Sequence, residues 1–356
     1  MNKNNLLVIF GGASSEHSIS LVSSSSVIDN LNKNKYNVIK VGITKEGKWL
    51  LTNSTSENIK SGAWENEKDN IEAILSPSTN TKGLLKLKDN KFSIVPIDVI
   101  FPVLHGKNGE DGTIQGLFEL ANIPYVGPYV ASSANCMDKT ITKIILDKYN
   151  ITQAKWILIN FLDFKNDFEK ETNNIENEFT YPVFVKPSST GSSIGISKAQ
   201  NKDELIISIE QASKYGNKIL IEEFIDGAEI EVAVLGNEHP IASVCGEIAP
   251  SRDFYDYTAK YNDDNSLLFI PARIDEITSD SVREIALLVF KALDCKGLSR
   301  VDFFVNKVTN RIIFNEINTM PGFTSISMYP KLLEASGIPY SMLLDRLIEL
   351  ALERNN

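Results

Sequence analysis

The chain has 356 residues, 42% of them hydrophobic, which is enough to bury the cores of two or three domains rather than one. A formal net charge of -10 without any Lys/Arg-rich stripe argues against a general nucleic-acid-binding protein and leaves small-molecule chemistry. The three cysteines, Cys136, Cys245 and Cys295, are scattered without metal-ligand spacing and read as reduced structural thiols.

The opening residues, a short polar lead and a brief apolar run closed by Gly11 and Gly12, are too short for a signal sequence or a membrane span, so a cytoplasmic location without membrane association is expected. Apolar runs at 6–10 and 38–43 flank a helix-like stretch at 16–30, a βαβ signal that implies a parallel sheet. The polar segment 53–80 lacks periodicity and is expected to decorate the surface, before residues 97–104 supply another buried strand. A helix over 132–150, a segment rich in Asn, Asp and Glu at 160–178, and a strand at 183–186 suggest a smaller second unit. Strands follow at 229–235, 301–305 and 312–317, and a closing amphipathic helix at 338–356. The expected division is 1–127, an N-terminal α/β unit; 128–225, a central unit; and 226–356, a C-terminal unit. The fold class is α/β with α+β.

Four clusters carry chemistry. The loop Gly11-Gly12-Ala13-Ser14-Ser15-Glu16-His17-Ser18 follows a strand and opens a helix. Its backbone N–H groups could hold an anion, or the loop could be a plain tight turn with Ser14 or Ser15 as N-cap. Glu16 could complement the helix dipole or receive a substrate ammonium at the mouth of the sheet. The loop 104–113 places His105 among three glycines after a strand, as a structural histidine or a substrate contact. In Lys186-Pro187-Ser188-Ser189-Thr190-Gly191-Ser192-Ser193-Ile194-Gly195 a lysine at a strand end precedes a hydroxyl-rich loop, which suits a phosphate lid better than a surface linker. The last cluster pairs Arg300 with Asp302 and Glu316 with Asn318, each two residues apart and so on one strand face. If these strands pair, two carboxylates and an amide oxygen converge as the hard donor set that Mg²⁺ prefers, with the arginine beside it; a surface ion-pair ladder is the alternative.

Taken in order, the N-terminal Gly-Gly-x-Ser-x-Glu-His loop, His105-Gly-x-x-Gly-Glu-Asp-Gly-Thr, Met137-Asp138-Lys139, Lys186-Pro-x-x-x-Gly-Ser-Ser, Ser299-Arg300-x-Asp302 and Asn315-Glu316-x-Asn318-Thr-x-Pro-Gly322 resemble the D-alanine:D-alanine ligases of the ATP-grasp superfamily and their vancomycin-resistance relatives. The resemblance implies a three-domain ATP-grasp architecture in a cytoplasmic homodimer. It implies ligation of two D-alanines, with ATP as co-substrate, through an acyl-phosphate, for peptidoglycan precursor synthesis. By the same similarity Lys139 and Lys186 contact ATP phosphates, Glu222 the adenine amino group, Glu229 the ribose, and Glu223 and Ile225 the base, and Lys260 also binds ATP. Asp302, Glu316 and Asn318 hold two Mg²⁺ ions, or Mn²⁺ in their place. Glu16, Ser192 and Tyr261 form a network around the first D-alanine, which His105 flanks. Arg300 and the Gly322 N–H stabilise the tetrahedral oxyanion, and Ser327, Met328 and the N-terminus of a helix opening near Thr324 bind the second substrate.

Ala259-Lys260-Tyr261 is intact, which argues against D-lactate as acceptor, and an apolar Met328 suits D-alanine. The wording at 254–258 and 321–324 is similar to the D-serine branch, so a D-alanine:D-serine ligase is the alternative. Ile326 replaces the histidine usual at its place, and Ser18 an acidic residue. A dinucleotide-dependent oxidoreductase would leave the 300–318 cluster unexplained, and a non-catalytic sensor would have lost its metal ligands. Arg300 is expected to matter more to chemistry than to folding.

Overall fold

The computed structural model describes residues 3–88, 91–249, 267–306 and 308–354. Strand β1 (Asn4–Gly11) is apolar on both faces, Leu6, Val8 and Phe10 entering one core and Leu7 and Ile9 another. Such a strand needs neighbours on both sides and cover above and below. It lies parallel to β2 (Tyr36–Ile43) and to β7 (Val99–Val103), with the helix His17–Asn30 making the first crossover.

This parallel centre is extended by antiparallel strands β3 (Trp49–Thr52), β4 (Ile71–Leu75), β5 (Gly83–Lys88) and β6 (Lys91–Pro96), giving the order β6-β5-β4-β3-β2-β1-β7. The first sheet is therefore mixed rather than parallel throughout. Segment 53–80 is not surface decoration either. It supplies β4, the helix Ser56–Ser61, and Trp64, which is fully buried edge-on to Phe10 at 5.0 Å between ring centroids. Gly42 makes the space, since a Cβ there would lie 2.3 Å from the indole. One large aromatic outweighs the missing periodicity.

A second, wholly antiparallel sheet runs β10-β9-β11-β8, from β8 (Trp156–Asn160), β9 (Val183–Pro187), β10 (Ser197–Ala199) and β11 (Lys218–Glu223). Its core, around Val185, Leu205, Ile209 and Ile221, is its own. The third sheet runs β15-β14-β12-β16-β17, from β12 (Ala228–Gly236), β14 (Gly246–Ala249), β15 (Leu267–Phe269), β16 (Gly297–Val305) and β17 (Ile312–Asn318), with β13 (Ile241–Ala242) on β12. Helices Met328–Ala335 and Tyr340–Glu353 pack their leucines into the core that also takes Leu6, Val8 and Phe10, so the first and third sheets share one apolar cluster.

The helix expected over 132–150 is two, Val130–Met137 and Lys139–Lys148. Asp138 leaves the helical region and accepts from the N–H groups of Thr140 at 3.0 Å and Ile141 at 3.2 Å, an N-cap worth about 1 kcal/mol. All three cysteines are free and buried, although the fold brings the Cys136 and Cys295 sulfurs to 3.7 Å. No helix among the described residues is long and apolar enough to cross a membrane.

Candidate active site

Strands β16 and β17 pair antiparallel, with Arg300 opposite Asn318 and Asp302 opposite Glu316. A bulge after Asp302 leaves Asn315 as the extra residue and lets Phe303 pair with Phe314 in the core beneath. Arg300 is buried and grips both oxygens of Asp302, Nε at 2.8 Å and Nη2 at 2.7 Å, while Nη2 also lies 3.1 Å from Glu231 on β12. Burial alone would lower its pKa, but Asp302 and Glu231, with Glu316 behind them, hold the guanidinium well above its usual value. Asn318 Nδ2 donates to Asp302 at 3.0 Å. Two carboxylates and an amide on adjacent strands are the hard oxygen donors a divalent cation takes, and a further carboxylate at Glu231 leaves the patch acidic despite Arg300. The donor chemistry fits such an ion at Asp302, Glu316 and Asn318.

Across the cleft stand the lysines. Lys139, at the start of its helix, donates to the Thr190 carbonyl at 2.7 Å and lies 3.7 Å from Glu316. Lys186, at the end of β9, pairs with Glu222 on β11, and Lys143 reaches the other oxygen of Glu222 at 2.6 Å. Burial would raise the Glu222 carboxyl, but Lys143 and Lys186 depress it to about 2. Lys143 was not singled out from the sequence. Its signal was its place one helical turn after Lys139 on an amphipathic helix, where a buried cation needs a carboxylate partner.

Between the second and third sheets lies a cavity of about 670 Å³ lined by Lys186, Ser193, Glu222, Glu223, Ile225 and Glu229 and reaching Glu316. Phe184, Phe224, Ile248 and Phe304 give it apolar walls suited to a flat base. Glu247 on β14 and Arg273 in the loop after β15, also on the wall, form a bidentate pair at 2.7 and 3.0 Å; the sequence reading missed them because no local pattern links a strand residue to a loop residue 26 positions on.

At the mouth of the first sheet Glu16 is buried and accepts from Ser192 Oγ of the lid loop. Ser192 and Ser193 are both left-handed, φ 50° and 57°, a conformation costing a non-glycine residue roughly 1–2 kcal/mol. Contact with Glu16 and the Thr190 Oγ1 bond to the Ile194 carbonyl at 3.0 Å hold that shape. Ser14 caps no N–H of the helix interior. It accepts from Glu16 N and donates to the His105 carbonyl, both at 2.9 Å, and Glu16 itself occupies the N-cap position. His105 is buried, its Nδ1 3.0 Å from the Met320 carbonyl and 3.6 Å from Glu110. Burial would lower its pKa, but the hydrogen bond and charge of Glu110, then Glu16, raise it above the usual value.

Gly322 and Ser327 meet: a Cβ on Gly322 would lie 2.7 Å from Ser327 Oγ, which accepts from Thr324 N at 3.0 Å. The helix expected near Thr324 opens instead at Met328, with Ser327 as N-cap, because that bond closes a turn first. Met328 is buried with its methyl against Gly246, and Ile326 is 60% exposed. Lys260 and Tyr261 lie outside the described residues.

The family model described as "D-ala D-ala ligase N-terminus" matches residues 5–128, and "D-ala D-ala ligase C-terminus" matches residues 145–349. A two-sheet clamp around a cleft with lysines on one side and carboxylates on the other defines an ATP-grasp enzyme, an ATP-dependent ligase. The D-alanine–D-alanine ligase of Caldicellulosiruptor bescii is 51% identical over all of this chain and 97% of its own length, and that of Acetivibrio thermocellus is 52% identical at the same coverage. Among solved structures, VanG D-Ala:D-Ser ligase from Enterococcus faecalis is 41% identical with a TM-score of 0.89, covering 98% of this chain and 100% of that one. The D-alanine-D-alanine ligase from Coxiella burnetii is 35% identical with a TM-score of 0.85, covering 99% and 96%. The chain belongs to the D-alanine–D-alanine ligase family.

Proposed function

We propose that this chain joins two D-alanines into D-alanyl-D-alanine, a peptidoglycan precursor, converting ATP to ADP and phosphate. The observation that carries the reading is one unbroken constellation. Glu16 meets Ser192 of the lid, Thr190 of the same lid holds Lys139, Lys139 faces Glu316, and Glu316 lies opposite Asp302 with Arg300. An ammonium site, a phosphate site and a carboxylate cluster therefore adjoin.

The first D-alanine places its ammonium on Glu16, which leaves its carboxylate toward the lysines. A carboxylate oxygen forms a bond to the γ-phosphorus of ATP as the bond to ADP breaks, giving an acyl-phosphate. Lys139 and Lys186 offset charge on the transferring group, and two Mg²⁺ ions held by Asp302, Glu316 and Asn318 would supply further neutralisation when bound. The lid excludes water, which would otherwise hydrolyse the acyl-phosphate. The amine of the second D-alanine then attacks the carbonyl carbon. Arg300 and the Gly322 N–H face the oxyanion, the bond to phosphate breaks, and phosphate and a proton leave. No protein nucleophile is needed. Glu223, Ile225 and Glu229 line the nucleotide end of the cleft, and the second sheet, which has its own core, acts as the moving jaw against the first and third.

Phosphate release from Mg-ATP with and without D-alanine, with the product identified by mass, tests the reading. Release that does not depend on D-alanine overturns it. The likeness to a D-Ala:D-Ser ligase gives D-serine a hearing as second substrate. The buried, apolar Met328 offers no partner for a serine hydroxyl, whose unpaired burial would cost roughly 1–3 kcal/mol. Equimolar D-alanine and D-serine should therefore give mostly D-Ala-D-Ala, and a D-Ala-D-Ser majority would reverse the assignment.

A further inference from the structure

The serine run Ser23-Ser24-Ser25-Ser26 in the helix His17–Asn30 has no part in the chemistry above, yet Ser23 and Ser24 are completely buried. Buried hydroxyls are kept where they have partners. The Ser23 oxygen lies 3.3 Å from the backbone nitrogen of Phe323 and 3.2 Å from His105 Nε2. The other ring nitrogen, Nδ1, is 3.0 Å from the Met320 carbonyl, which can only accept, so Nδ1 carries a proton. In the neutral ring Nε2 then accepts from Ser23, whose oxygen accepts from the Phe323 N–H. In the protonated ring Nε2 donates and Ser23 accepts from both. Either way the bonds form a closed circuit that begins and ends on one short stretch, Met320-Pro321-Gly322-Phe323.

The same helix grips this stretch a second time. Ser26 Oγ donates to the Tyr340 hydroxyl at 3.2 Å, and Tyr340 donates to the Phe323 carbonyl at 2.9 Å. Phe323 is thus held by its N–H and its C=O, which fixes both peptide planes that meet at its Cα. Gly322, immediately before it, has no space for a side chain.

We infer that Ser23 is a positioning residue. By holding the Met320 carbonyl through His105 and the Phe323 N–H directly, it fixes the backbone on both sides of the Gly322 N–H and ties that aim to the helix whose N-terminus carries Glu16, so that the first-substrate site and the oxyanion site are registered by one rigid element. The inference rests on the proposed role of Gly322 as oxyanion donor. Negative charge builds on the carbonyl oxygen only when the second amine attacks, so Ser23 serves that step and not phosphoryl transfer.

The two steps can be read separately. Scrambling of ¹⁸O between bridging and non-bridging positions of labelled ATP, in the presence of D-alanine, follows acyl-phosphate formation, and dipeptide appearance follows the whole reaction. Ser23→Ala should slow dipeptide formation about ten- to a hundredfold, short of the full loss of an oxyanion donor, while scrambling and the KM for ATP stay within about twofold. Amide hydrogen exchange at Phe323 should rise in the variant without ligand. If Ser23→Ala does not fold, Tyr340→Phe removes the second grip and should show the same split in smaller measure. Equal loss of both rates, or no loss of either, in the variant that folds overturns the inference while leaving the ligase reading intact; a wild-type protein that makes no dipeptide overturns both.

Discussion

Glu222 shows how much a single buried carboxylate can contribute when cations flank it. Its one carboxylate holds the ammonium groups of both Lys143 and Lys186. Because its folded pKa is about 2, below the ordinary 4.5, this carboxylate favours folding above the unfolded value, and the benefit is lost as pH falls from about 4.5 toward 2. The difference corresponds to roughly 3 kcal/mol. Glu222→Gln should therefore melt well below the wild type at pH 7, with the gap closing across that acid window; thermal melts at several pH values would show a constant gap if the pairing contributes nothing. Arg300 makes the opposite case. The sequence expectation is that it matters more to chemistry than to folding, and its burial with Asp302 and Glu231 against it gives it a share in folding as well. Arg300→Ala leaves two carboxylates facing each other out of water, and stability should fall by about 3–5 kcal/mol as well as activity. Denaturant titration checks this, and an unchanged midpoint would return the residue to chemistry alone.

Among the elements, the lid and the His105 loop depend on close backbone approach to Glu16. Gly106 is left-handed at φ +69°, and a Cβ on it would lie 2.0 Å from a Glu16 oxygen. Gly106→Ala must displace either the loop or the carboxylate that receives the first substrate. Its expected effect is a rise in KM for D-alanine of about tenfold or more with little change in ATP affinity, following from a misplaced contact worth on the order of 1.4 kcal/mol. Parallel titrations with the two substrates would show it, and an equal loss for both would mean that the loop supports the whole cleft. The break at Asp138 has a similar logic. Besides capping its helix, Asp138 accepts from Ser188 at 2.5 Å and Lys218 at 2.9 Å, so the start of the Lys139 helix is fastened to the base of the lid.

In the whole molecule, the first and third sheets share a core and the second has its own. The second sheet and the helices packed on it should therefore melt apart from the rest, and ATP, which would touch both sides of the cleft, should join them. Calorimetry is expected to resolve two transitions without ligand and one with it, with stability raised by about 2.7 kcal/mol at a hundredfold excess over Kd. A single transition in both states would mean that the sheets already unfold as one. Much of this was legible in the sequence: β1 in its apolar run, the lid in its glycines and hydroxyls, and the shared strand face of Arg300 with Asp302 and of Glu316 with Asn318 in the two-residue period of a strand, because each is a local pattern with a local cause. Other features depended on residues far apart in the chain. Trp64 over Gly42, Lys143 against Glu222, Glu231 beside Arg300 and the circuit from Ser23 through His105 to Met320 join segments that carry no signal of one another. Only the tertiary structure decides them, since burial turns an ordinary serine or lysine into a group that must find a partner.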